Sequence, residues 1–156
     1  MDTYSAEILW KREGQNFLGN RYSRKHVIKF DGGAQLAGSS SPQVVPVPQS
    51  DPAGVDPEEM FVAAISSCHM LWFLAIAAKR RYEVDQYADA AVGIMERNEK
   101  GKLAISTVTL KPSVQFSGTH LPSREEIDAM HQIAHEECFI ANSVNCAVRI
   151  ETVYLE

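Results

Sequence analysis

The sequence predicts an α+β fold, mostly antiparallel sheet packed on long helices, and three observations carry that prediction. Short, partly alternating segments bounded by turn residues fill residues 4–38 and 82–118, as strands of antiparallel sheet do. Met60 to Ala78 is a nearly unbroken apolar run, too long for a strand and suited to a buried helix. "PSREEIDAMHQIAHEECF" carries helical periodicity in Ile127, Met130, Ile133 and Ala134. The order β-β-β-α-β-β-α-β, without internal repeats, fits one domain over residues 1–156.

"YSAEILW" (4–10) partly alternates and reads as the first strand, followed by the turn residues of "EGQNFLGNRYS". "KHVIKFDGGAQLAGS" reads as two strands around "DGG", since Asp and Gly tolerate the positive φ of a tight hairpin. Residues 39–55 hold four of the seven prolines, which remove backbone donors and make the stretch a Pro-rich loop ordered along a surface. In "VDPEEMF", Asp56 suits an N-cap, Pro57 the first helical position, and Glu58 and Glu59 the positive end of the helix dipole. That helix is expected over 57–81, buried nearly all round, with Lys79, Arg80 and Arg81 at its negative end. A chain this small can hardly cover such a helix alone, so a second subunit is expected to supply part of the cover. Residues 82–118 read as two longer strands joined by "NEKGK". Ser123 and Glu126 form a capping box opening a second helix, 123–137, and "VNCAVRIETVYL" closes the chain as a strand.

Composition narrows the function. With 45% apolar and 22% charged residues the chain has ordinary globular composition. A net charge of −5 and scattered Lys and Arg lack the basic footprint of a nucleic-acid surface, so no nucleic-acid partner is expected. The start "MDTYSAEILWKREG" shows no basic segment followed by an apolar one, so the expected location is cytoplasmic. The run 60–78 is long enough to span a bilayer, but the polar "SSCH" at its centre argues for a core helix and no membrane.

Three cysteines, Cys68, Cys138 and Cys146, match neither a secreted disulfide scaffold nor a CxxC ribbon. Each is an apolar filler or a reactive thiol. Cys68 lies about three turns inside the first helix, with Ser67 and His69 pointing about 100° to either side. Cys138 follows the last turn of the second helix in "HEECFIANS", where Asn and Ser can donate hydrogen bonds; Cys146 falls in the last strand and needs only a packing role. His131, His135 and Cys138 are spaced i, i+4, i+7 on one helix face, which is also how zinc ligands are spaced. Their ordinary reading is histidines satisfied by carboxylates or carbonyls at the edge of an apolar stripe. His26 and His120 read as surface residues.

"DPEEMFVAAISSCHMLWFLAIAAK", followed some 60 residues later by "HEECFIANS", resembles the OsmC/Ohr family of osmotically inducible and organic hydroperoxide resistance proteins, its OsmC-like branch in particular. The resemblance implies an intertwined homodimer with two sites at the subunit interface. It implies a thiol peroxidase without cofactor, in which Cys68 is peroxidatic, Cys138 resolving, and Glu58 pairs with an arginine of the N-terminal region. Arg12, Arg21 and Arg24 lie there, with Arg24 in "YSRKH" favoured and Arg21 next. A hydroperoxide is then the substrate and an external dithiol the reductant. Met60, Phe61, Met70, Leu71, Trp72 and Phe73 line the pocket or fill the core. Two other readings stay open: a zinc protein using His131, His135 and Cys138, and a non-catalytic dimeric binding module of the same fold.

Overall fold

The computed structural model describes residues 1–155 and forms two compact units, Met1–Met60 and Phe61 onward. In the first unit β1 (Ala6–Leu9), β2 (His26–Phe30) and β3 (Gln35–Gly38) form an antiparallel sheet in that order, as the alternation predicts. Gly33, at φ +89°, makes the β2–β3 hairpin possible. The Pro-rich loop is ordered by polar anchors. The Ser39 hydroxyl, fully buried, accepts from Asp51 N at 2.9 Å, Arg24 N donates to Gln49 O at 2.7 Å, and Lys25 pairs with Asp51 at 2.9 Å.

Helix α1 (Pro57–Lys79) opens with a reciprocal cap: Asp56 Oδ1 accepts from Glu59 N at 2.7 Å, and Glu59 Oε2 accepts from Asp56 N at 3.2 Å. Its end is set by Arg81, which takes the left-handed conformation (φ 68°) and lets Tyr82 N donate back to Ala77 O.

The second unit continues with β4 (Glu83–Asp89), β5 (Val92–Arg97), β6 (Leu103–Leu110), β7 (Pro112–Ser117), α2 (Arg124–Glu137), a short 3-10 turn (Ala141–Ser143) and β8 (Ala147–Ile150). The two long strands expected over 82–118 are therefore four. Both arms of one long hairpin break at the same level, so that β4 pairs with β7 and β5 with β6. Pro112 has no N–H for the ladder, and Lys111 N donates to Asp89 Oδ1 at 2.6 Å instead of to a strand. Asp89 Oδ2 also accepts from Ser66 of α1 at 2.5 Å, fixing the bend against the helix. β8 joins the sheet parallel to β6. The capping box of Ser123 and Glu126 is present, and α2 buries Met130, His131 and Ala134.

Two apolar clusters flank α1. Phe73 and Ala77 pack with Tyr82, Met130 and Ala134, backed by Trp72, Val84, Val114 and Phe116. Ile65 packs with Val108 and Leu110, backed by Phe61, Ile105, Val148 and Ile150. By length and composition α1 could cross a membrane, yet its buried stripe is seated in these clusters. Within one chain α1 buries Ile65, His69, Phe73 and Ala77, one stripe at i, i+4 spacing. Ala64, Ser67, Leu71, Ala75 and Ala78 are exposed, Leu71 to 60%. The placement of Cys146 is corrected: it precedes β8 in a bend and packs on the Ile65 cluster. His120 is exposed as expected, whereas His26 is half-buried.

Because Asp89 holds both the hairpin bend and Ser66, Asp89→Ala should destabilise the protein by about 3 kcal/mol. Urea denaturation measures this, and a loss below about 0.5 kcal/mol would remove the bond pair from the account of the bend.

Candidate active site

The second unit brings Cys68 and Cys138 together. Cys68, in the fourth turn of α1, is half-buried; Cys138, the C-cap residue of α2, is fully buried, and both are free thiols. Burial first, and then the Cys68 thiol beside it, push Cys138 up to about 11, opposed by the N–H of Ala141, which donates to its Sγ at 3.4 Å. Cys138 is thus held as a thiol until its proton is taken. Asn142 fixes the segment after it by donating from Nδ2 to Glu136 O at 2.8 Å and Cys138 O at 3.1 Å. Phe139, exposed, sets its ring edge-on to Trp72 with centroids 5.5 Å apart, an apolar wall next to Cys138. Cys146 is raised by burial and serves as a packing residue.

One layer along the same two helices, His69 Nε2 and His131 Nδ1 share a hydrogen bond of 3.0 Å, with the rings stacked at 5.2 Å and both residues 98–99% buried. The expectation that His131 is satisfied by a carboxylate or carbonyl is therefore corrected: its partner is another imidazole. Phe73 stacks on His131 with ring centroids 4.2 Å apart. Burial, and then the charge on His135, pushes His69 down to about 4; burial, and then His69, pushes His131 down to about 3. Sequence reading passed over His69, although its place between Ile65 and Phe73 at i, i+4 marks it as part of the buried stripe.

His131 Nδ1 is committed to His69, and the described residues gather no three His, Cys, Asp or Glu side chains placed to hold a metal ion.

In the first unit, Glu59 closes the cap and leaves Glu58 free of that task; Glu58 Oε2 is buried without a hydrogen-bond partner among the described residues. Arg24 is engaged elsewhere: Nη1 donates to Tyr22 O at 2.5 Å, Nη2 to Asn20 Oδ1 at 2.7 Å, and its guanidinium lies 3.8 Å over the Tyr22 ring. Arg21 is exposed in a bridge with Asn16. Within this unit, among the described residues, neither arginine pairs with Glu58.

The histidine pair generates a pH dependence. Both imidazoles titrate below the ordinary value of about 6.5, so the unfolded chain binds more protons and their contribution, present above about pH 6.5, is lost as pH falls toward 4. Stability should fall by on the order of 2 kcal/mol or more between about pH 7 and 4.5, and the double substitution His69→Gln, His131→Gln should flatten that slope. Urea midpoints across the range check it; an equal slope in both proteins would assign the loss to other groups.

Comparison with known proteins identifies the family and the fold. The family model described as OsmC-like protein matches residues 49–153. No curated protein matches the chain. Among solved structures, an OsmC-like protein of unknown function from Vibrio cholerae O1 biovar eltor is 54% identical, with a TM-score of 0.96 over 98% of this chain and 100% of that one. An organic hydroperoxide resistance protein from Elizabethkingia anophelis shares the fold at 15% identity and TM-score 0.69, over 99% and 96% of the two chains. The organic hydroperoxide resistance protein OhrB of Bacillus subtilis does so at 19% and 0.66, over 97% and 98%. With its two cysteines on facing helices and the family pattern running through both helices, this chain belongs to the OsmC-like family.

Proposed function

We propose that the protein is a cysteine-based thiol peroxidase that reduces organic hydroperoxides, and hydrogen peroxide more weakly, in stress defence. The observation that carries this reading is the juxtaposition of a half-buried Cys68 with a fully buried Cys138. The Cys68 thiolate attacks the peroxide O–O bond, forming an S–O bond; the alcohol leaves with a proton, and Cys68 becomes a sulfenic acid. Cys138 then attacks that sulfur, the S–O bond breaks, water leaves, and a disulfide closes. An external dithiol returns both cysteines to thiols. A resolving thiol at this position prevents irreversible oxidation of Cys68. The Trp72–Phe139 wall favours an apolar peroxide over hydrogen peroxide.

Burial alone disfavours a thiolate, so Cys68 needs a cation, and guanidinium with a carboxylate to orient it is the suitable group. The buried, unpartnered Glu58 Oε2 supports a role of this kind for Glu58, with Arg24 or Arg21 as its partner. The exposed apolar face of α1, from Ala64 through Leu71 to Ala78, supports a second copy of the chain as its cover, with the sites at the subunit interface in a cytoplasmic homodimer. A non-catalytic binding module of the same fold would differ in having an unreactive Cys68.

Stopped-flow oxidation by cumene hydroperoxide and hydrogen peroxide, with mass spectrometry of the product, tests the proposal. Cys68→Ser should abolish the fast reaction. Cys138→Ser should keep the first turnover but stop at the sulfenic acid. Glu58→Gln should slow the peroxide step roughly tenfold to hundredfold with the fold retained. A Cys68 no faster than a free thiol would leave the binding module as the better reading.

A further inference from the structure

We propose that Asn142 is a positioning residue for the disulfide-forming step: its side-chain amide closes the carbonyl end of α2 and so holds the Cys138 sulfur on the Ala141 N–H, ready to attack Cys68. The inference deepens the proposed function and rests on the Cys68–Cys138 pairing.

Cys138 occupies a difficult place for a nucleophile. As the C-cap of α2 it leaves the helix with φ −65° and ψ 111°, so the helix ladder no longer fixes its backbone. The last carbonyls of α2 lie at the same end and present the negative end of the helix dipole, which opposes the thiolate that must form. Burial, and then the Cys68 thiol, already push Cys138 up to about 11. A group that orients the sulfur and weakens that negative end therefore acts directly on the rate of resolution.

Asn142 does both. Its backbone N–H donates to Cys138 O at 3.0 Å, closing a turn in which the preceding residue, Ala141, brings its own N–H to Cys138 Sγ at 3.4 Å. Its side-chain Nδ2 bridges two carbonyls of the helix end, Glu136 O at 2.8 Å and Cys138 O at 3.1 Å. Cys138 O thus accepts two donors from one residue. A cap kept for stability alone is complete with the backbone donor; the second donor on the same oxygen offsets a further part of the negative end beside the sulfur. Ser143 secures the turn from outside the helix, its Oγ donating to Phe139 O at 2.7 Å. Asn142 is exposed, so it can be changed without opening the core. Its bonds are to carbonyl oxygens and to no reacting atom, and it acts through Cys138.

The test needs no hydroperoxide. In a Cys146→Ser background, dithiobis(nitrobenzoate) labels Cys68 and releases one thionitrobenzoate. Cys138 then gives its proton to the buffer and attacks the Cys68 sulfur: the Cys68–Cys138 bond forms, the bond to the label breaks, and a second thionitrobenzoate leaves with the electron pair. Asn142→Ala should leave the first phase within about twofold and slow the second about tenfold. Two further variants separate hydrogen bonding from shape. Asn142→Asp keeps the shape, loses the donor and adds negative charge, so it should be at least as slow as Asn142→Ala. Asn142→Ser is smaller but keeps a hydroxyl that can donate to the carbonyl four residues back, so its second phase should return to within about threefold of the unsubstituted rate. A normal second phase in Asn142→Ala or Asn142→Asp, a slow one in Asn142→Ser, or equal slowing of both phases overturns the proposal. If Asn142→Ala loses its fold by circular dichroism, the ratio of Asn142→Ser to Asn142→Asp is read instead, about tenfold being expected and equal rates overturning it. Loss of fold in all three overturns it as well, by making Asn142 a structural requirement. Peroxide oxidation of Cys68 no faster than a free thiol, with the Asn142 effect intact, overturns the peroxidase reading alone. Peroxide turnover without the Asn142 effect overturns the positioning role alone, and absence of a second phase overturns both.

Discussion

The stripe Ile65, His69, Phe73 and Ala77 of α1 is the surface against which the second unit is assembled. Burying Ile65 and Phe73 contributes about 2–3 kcal/mol each, and the two residues seat the helix in separate clusters, one on β6 and β8, the other on α2, β4 and β7. His69 lies between them and cannot be buried without a partner, and α2 supplies one in His131. Fixing that pair fixes the register of α2 on α1, and with it the approach of Cys138 to Cys68. The chemistry of the thiols thus depends on a packing decision made one residue away.

Two opposed effects then set the character of the dithiol. Burial disfavours charge on Cys138, and its place at the C-terminal end of α2 adds the negative end of a helix dipole. The Ala141 N–H works the other way, as a single donor that stabilises the thiolate only in part. The balance favours a protonated Cys138, which is compatible with the resolving role proposed for it. The face of α1 opposite the buried stripe is apolar and small-sided, with Leu71 the largest exposed group, and one chain leaves it to water. A helix apolar all round but buried on one stripe calls for a further surface, which is the physical basis for proposing a second copy.

Much of the local structure was legible because it depends on nearest neighbours. The caps at Asp56 and Ser123, the "DGG" hairpin and the limits of both helices follow from residues within one turn of each other. The break of the long hairpin into four strands did not show, because it requires Asp89 to meet Lys111 across more than twenty residues; Pro112 was the one local sign. Cys68 and Cys138 could be named from motif, but only packing on one another makes them a pair. His69 could be assigned to the buried stripe from its spacing, while the identity of its partner could not, since any polar group on the facing surface would meet the same need.

The sequence by itself determined the α+β composition, the helix starts, the placement of both helices among the strand segments and which thiols are available, because these follow from periodicity, capping and chain order. Only the tertiary structure decided which stripe of α1 is buried within its own chain, that Glu59 rather than Glu58 closes the first cap, and that the two histidines bond to each other beside the thiols. Hydrophobicity states that a surface must be covered; which surface covers it, and what polar groups arrive with it, is set by contacts between residues far apart in the chain.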